Sequence, residues 1–130
     1  MDIFPVVTLV GEAEHGELCK GILCSSVWQL WNTFGEPPTE TQGLAFAVQS
    51  LLLGNKVLFY RIEEEGLSTN EYELCLRSLD SAVPLNVPLG ALFLPGVGTN
   101  GIIEESLHIC KRHSGVLIMT QKDFYDYLTA

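Results

Sequence analysis

The chain has 130 residues, with 7 Lys+Arg against 16 Asp+Glu and a formal net charge of −9. Its 47% hydrophobic content is too high for a disordered acidic tail, and its length suits one domain, residues 1–130, that buries a core without disulfides or metal. No run approaches the roughly 18 apolar residues of a membrane span, and the charge opposes a nucleic-acid partner held by bulk electrostatics.

The opening segment, MDIFPVVTLVGE, has no basic n-region and does not read as a secretory signal. Residues 5–10 and 20–23 read as short strands, joined by a polar connection from Gly11 to Glu17. Ser25 to Phe34 carries Val27, Leu30, Trp31 and Phe34 at helical spacing and ends at Gly35. Pro37-Pro38 enforces an extended link. Thr39-x-x-Gln42 predicts a capping box, in which each side chain satisfies an orphan backbone donor. The helix behind it is expected to bury Leu44, Ala47, Val48, Leu51 and Leu52, and Gly54-Asn55 to close it in a left-handed cap.

Val57–Ile62 is a strand rich in branched and aromatic residues. Glu63-Glu64-Glu65-Gly66 reads as a solvated turn. Ser68-x-x-Glu71 predicts a second capping box, opening a helix to about Ser81 with Tyr72, Cys75, Leu76 and Leu79 on one face. Pro84 to Pro88 is a loop. Ala91–Leu94 is a wholly apolar strand, as in the buried middle of a parallel sheet. After the turn Pro95–Gly101, a helix over Ile102–His113 is expected to bury Ile103, Leu107 and Cys110. Glu104-Glu105 would lie in its first turn and Lys111-Arg112 in its last, both matching the helix dipole. Val116–Thr120 is an apolar strand and Lys122–Leu128 a terminal helix. The alternation predicts an α/β domain with a mostly parallel sheet.

The four cysteines, Cys19, Cys24, Cys75 and Cys110, show one C-x4-C spacing and no second pair to complete a zinc site. They read as packing thiols of a reducing, intracellular compartment, with no metal implied. His15, His108 and His113 read as surface residues or helix-end charges. No general acid, base or nucleophile stands out, so no catalytic residue is assigned.

One constellation carries chemistry. Gly96-Val97-Gly98-Thr99-Asn100-Gly101 fits G-x-G-x-x-G between a predicted strand and a predicted helix. First-turn amides there lack internal partners and can hold a phosphate, and glycine lets the backbone approach it. The dinucleotide fingerprint also demands the first βα turn of its unit and an acidic residue about 20 positions on. Here only one strand and a short helix follow, and Asp123 is the acidic candidate. A tight strand-to-helix turn that needs glycine for geometry alone is the competing reading.

The stretch LFLPGVGTNGIIEESLHICKRHSGVLIMTQKDFYDYL resembles the C-terminal third of a macrodomain. It is most similar to macrodomains of the coronavirus replicase non-structural protein that bears the papain-like protease, and among them to the SARS-unique-domain type. The strand VLFYRI and the Ser68-capped helix match the same order, so the likeness covers residues 57–128. The resemblance implies a three-layer α/β sandwich with helices on both faces of a mostly parallel sheet. It makes the Gly-rich turn a phosphate-cradling loop for ADP-ribose, with Gly96, Gly98, Thr99, Asn100 and Gly101 as ligand-binding candidates. Other macrodomain features are missing. Asp2 precedes the first strand, Asn32 and Asn55 stand alone where an Asn-rich loop would be, and Gly43 is single. Catalysis would need ribose and diphosphate fixed together, so hydrolysis is not expected.

Modules of this type imply RNA binding, including guanine-rich RNA, or host-protein binding. The nucleic-acid candidates are Lys111, Arg112 and Lys122, few for phosphate contacts in so acidic a chain. Protein partners, host or viral, are the favoured expectation. Trp28 and Trp31 would anchor them if exposed, although both also fit a helix core. The function implied is that of a non-catalytic module in the soluble part of a replicase protein in the host cytoplasm, without cofactor and without membrane insertion. The alternative is an ADP-ribose or nucleotide-phosphate binder with weak hydrolase activity.

Overall fold

A computed structural model describes residues 6–82 and 89–129. The elements run β1 (Val6–Glu12), β2 (Gly21–Cys24), α1 (Val27–Phe34), α2 (Gly43–Leu52), β3 (Lys56–Ile62), α3 (Thr69–Ala82), β4 (Leu89–Phe93), α4 (Asn100–Arg112), β5 (Val116–Ile118) and α5 (Gln121–Thr129). The expected loop at Pro84–Pro88 lies outside the described residues, as does Asp2.

The strands form one five-stranded sheet in the order β2-β3-β1-β4-β5. All pairings are parallel except β2 with β3. The period-2 alternation of strands explains the two cores. Val6 and Val10 of β1, with Leu58, Tyr60 and Ile62 of β3, face α3 and α4. Leu9, Val57 and Phe59 face α1 and α2. Register slips by one between Val6 and Val7, which pair with Leu89 and Ala91. Gly90 is the extra residue, and the slip brings Leu89 and Leu92 into the same core. The expected three-layer α/β sandwich is what forms: α1 and α2, sheet, α3 and α4.

Local signals worked where they depended on nearby backbone alone. Ser26 caps α1, its Oγ accepting from Gln29 N at 3.1 Å. Gly54, at φ +93°, ends α2 in a Schellman motif: its N–H donates to Leu51 O, and that of Asn55 to Ser50 O, both at 3.0 Å.

Both predicted capping boxes fail. Gln42 sits at the N-cap of α2 without any side-chain cap, because a carboxylate from elsewhere takes the first amides. Ser68 Oγ and Glu71 instead receive the amides of Glu64 and Glu63 and fold the preceding turn. Helix α4 begins at Asn100, two residues earlier than expected, so Glu104 and Glu105 fall beyond its first turn. Leu52 and Leu107 are exposed, since the buried stripes run through Leu44, Ala47 and Leu51 and through Ile102, Ile103, Ser106, Ile109 and Cys110. Val116 on the edge strand β5 is also exposed. Among the described residues no helix is long and apolar enough to cross a membrane.

Candidate functional site

Open α/β sheets take ligands beyond the carboxyl ends of their strands, where the strand order reverses. Here that point lies between β1 and β4. Three turns meet there: the end of β1, the β3–α3 turn and the Gly-rich turn after β4. Gly66 and Gly96, both at positive φ, approach so closely that a Cβ on Gly66 would lie 2.9 Å from Gly96 O. Tyr72 ties these two turns, since its Oη accepts from Gly66 N at 2.7 Å and its hydroxyl faces Pro95 O at 3.4 Å. Burial pushes its phenol pKa well up, so it stays a protonated strut.

The Gly-rich turn is partly taken by the protein itself. Gly96 N donates to Asp123 Oδ2 at 2.9 Å, and Asp123 is only 4% exposed. A Cβ on Gly98 would meet Asp126 Cβ at 2.7 Å and Asp123 O at 2.9 Å, so that glycine lets α5 pack. Thr99 is the N-cap of α4 but makes no side-chain cap bond. Gly96, Gly98, Thr99 and Asn100 do converge on one open groove of about 540 Å³, with Asp126 on its wall. Gly101 is exposed in the first turn of α4, with no atom near its would-be Cβ. Two aspartates at the cradle oppose a second anion such as a diphosphate. Phe93, at the end of β4, packs on Phe46 in the core under α1 and α2, ring centroids 4.7 Å apart.

A second carboxylate escaped sequence reading. Glu65, expected in a solvated turn, points inward. Its Oε1 accepts from Glu12 N at 3.1 Å and Gly43 N at 2.9 Å, and its Oε2 from Gln42 N at 2.9 Å. Glycine is required on both sides: a Cβ on Gly11 or Gly43 would each lie 2.7 Å from Oε1. Glu65 N in turn donates to Glu12 Oε1 at 3.3 Å. Burial pushes the Glu65 carboxyl up, the three amides pull it back, and the nearby Glu12 charge pushes it up again. Glu63 and Glu64 remain exposed, so only the third glutamate of the run differs. Its sole sequence signal was its place just before Gly66. The glycines of its socket lie 54 and 22 positions upstream, out of reach of any local pattern.

The basic candidates are elsewhere. Lys111 and Arg112 close α4, a 13-residue helix, about 18 Å from the Gly-rich turn at 1.5 Å per residue. Asp80 of α3 bonds Arg112 Nη1 at 2.6 Å and His113 Nε2 at 2.8 Å. His113 is thus a largely enclosed partner of Asp80 rather than a surface charge. Lys122 pairs with Asp126 at 3.3 Å, and Arg61 is spent on the Ala13 and Gly16 carbonyls. Among the described residues no three His, Cys, Asp or Glu side chains gather as a metal site would require.

Helix α1 exposes two tryptophans, and α5 exposes Phe124, Tyr125 and Leu128. Trp28 is 71% exposed and Trp31 47%, which overturns their core reading. Beneath Trp31 a small apolar cleft runs between α1 and α2, bounded by Val27, Leu30, Pro37, Leu44 and Val48. No protein-family model matches the chain, and the search of curated proteins found no match either.

Proposed function

We propose that this chain is a non-catalytic, macrodomain-like module of a coronavirus replicase protein, working in the host cytoplasm by binding a protein partner through the outer face of α1. The exposure of Trp28 and Trp31 carries this reading. Exposed tryptophans are costly in water and dominate binding energy when a partner covers them. Helix α1 is too short to need both for its own packing, because Leu30 and Phe34 already hold it to the sheet. The net charge of −9 makes self-association unfavourable and favours a basic partner surface. The same charge weighs against RNA, as does Asp80, which partly neutralises the basic end of α4.

Capture from host-cell lysate tests the reading, using wild type and a Trp28→Ala/Trp31→Ala variant, each with and without nuclease. The expected result is a protein set kept by wild type, lost by the variant and unchanged by nuclease. Loss on nuclease treatment would move the function to RNA, and equal capture by both chains would overturn the α1 face.

The groove along Gly96–Asn100 supports a second reading, an ADP-ribose or nucleotide-phosphate site. Asp126 and Asp123 count against it. Titration calorimetry decides: no heat at millimolar ADP-ribose removes it.

A further inference from the structure

Helices α1 and α2 contain no charged residue. Besides the two tryptophans of α1, their layer exposes Leu52, which stands one turn beyond Val48 on the wall of the cleft beneath Trp31. The cleft holds only about 30 Å³, against roughly 300–1,000 Å³ for a small-molecule pocket, so it takes the tip of one aliphatic side chain and no cofactor.

Negative charge gathers at one end of this cleft. Gly35, which lines it, ends α1, and the last turn of α1 has no basic residue. Acids stand there instead. Glu14 Oε1 accepts from Glu36 N at 2.7 Å and lies 2.8 Å from where a Cβ on Gly35 would be. Glu14 and Glu36 are both exposed, and neither forms an ion pair among the described residues. His15 also borders Gly35, while Arg61 is held on the Ala13 and Gly16 carbonyls. The negative end of the α1 dipole adds to the two carboxylates, at a place where cations are ordinarily found.

We propose that this face docks a segment of a partner protein that sets one aliphatic side chain in the cleft and a Lys or Arg, within one turn of it, against Glu14 and Glu36, a partner chemistry that rests on α1 being the binding face. The apolar anchor supplies affinity by leaving water, and the acid pair orients the segment. The same acids repel phosphate, whether of nucleic acid or of anionic lipid.

Trp28 and Trp31 are the only tryptophans of the chain, so its tryptophan fluorescence reports on this face alone. The full chain is titrated at physiological salt with three synthetic amphipathic peptides, built of leucine and lysine, leucine and glutamate, or alanine and lysine. The leucine–lysine peptide should bind and move the emission to shorter wavelength, and the other two should not. Glu14→Gln/Glu36→Gln keeps an oxygen for the Glu36 amide and should weaken that binding about fivefold to tenfold. Equal affinity in this variant would overturn the acidic contact while leaving the α1 face standing. An equal shift from the glutamate or the alanine peptide, or from phosphatidylcholine vesicles, would overturn the basic–aliphatic partner. So would calorimetric binding of the leucine–lysine peptide without any emission shift, or no binding at all. Failure of the α1 face itself shows separately, as equal lysate capture by wild type and the double tryptophan variant.

Discussion

Removing the Glu65 carboxylate is the sharpest test of how the ligand end of the sheet is built. Glu65→Ala leaves three amides, those of Glu12, Gln42 and Gly43, without their acceptor. A net hydrogen bond to a charged group contributes roughly 1.5–3 kcal/mol, and an orphaned buried donor costs about 1–3 kcal/mol. Gln42 is exposed, so water replaces the carboxylate there at little cost. The expected loss is therefore about 2–4 kcal/mol, a large part of the roughly 5–15 kcal/mol of an ordinary domain. Glu65→Gln keeps one oxygen for Glu12 and Gly43 but turns an NH2 towards Gln42 N, so about 1–2 kcal/mol should go. Urea unfolding followed by far-UV circular dichroism reads both values, with an unchanged slope if the fold is kept. The pH dependence follows from the raised carboxyl pKa. Over a window above the ordinary 4.5, the folded chain holds a proton that the unfolded chain has lost. This group's stabilisation is thus complete below 4.5 and declines as pH rises through the folded value. Gln cannot titrate, so the gap between wild type and Glu65→Gln should be widest in mild acid and narrow towards neutrality. A loss below about 1 kcal/mol for Glu65→Ala, with Gly43 amide exchange unchanged, would refute the socket.

Gly98→Ala should cost about 1–3 kcal/mol through its clash with Asp126 Cβ and the Asp123 carbonyl, whereas Gly101→Ala should be neutral or stabilise by up to about 1 kcal/mol; thermal melts of the two compare them. Thr8 is wholly buried on the central strand and its Oγ1 has no hydrogen-bond partner among the described residues, so Thr8→Val should gain about 1 kcal/mol in the same urea assay. Asp80→Asn weakens the tie between α3 and α4 and should cost about 1 kcal/mol, an effect that shrinks in high salt because Arg112 is largely exposed. Trp28→Ala should leave stability within about 0.5 kcal/mol, which separates a binding role from a packing one.

Much of the fold was legible because its signals are short-range. Apolar runs at Val57–Ile62 and Ala91–Leu94 name central parallel strands, which are buried on both faces and need no polar side. The Gly54 cap depends on residues within one turn and formed as expected. The α3 face of Tyr72, Cys75, Leu76 and Leu79 is buried throughout, because helical period alone selects it. Misses arose where distant groups competed for the same atoms. The Thr39–Gln42 box is a local offer, and Glu65 outbids it with a charge at a helix N-terminus. Trp31 fits the α1 stripe in sequence, yet Leu30 and Phe34 fill the space against the sheet and leave it at the surface.

The Gly-rich turn divides the two kinds of information. Sequence alone determined that a glycine turn would join an apolar strand to a helix, since the residue types permit little else at Pro95–Gly101. It also determined the acidic balance and the amphipathic helices. Only the tertiary structure decided what the turn faces. Chain topology brings α5 back over it, so Asp123 bonds Gly96 and Asp126 walls the groove. Topology likewise carries Glu65 to Gly11 and Gly43 and places the Cys19 side chain against the Glu71 carbonyl of α3. These contacts join residues tens of positions apart, and no periodicity encodes a meeting that depends on the order of strands in a sheet.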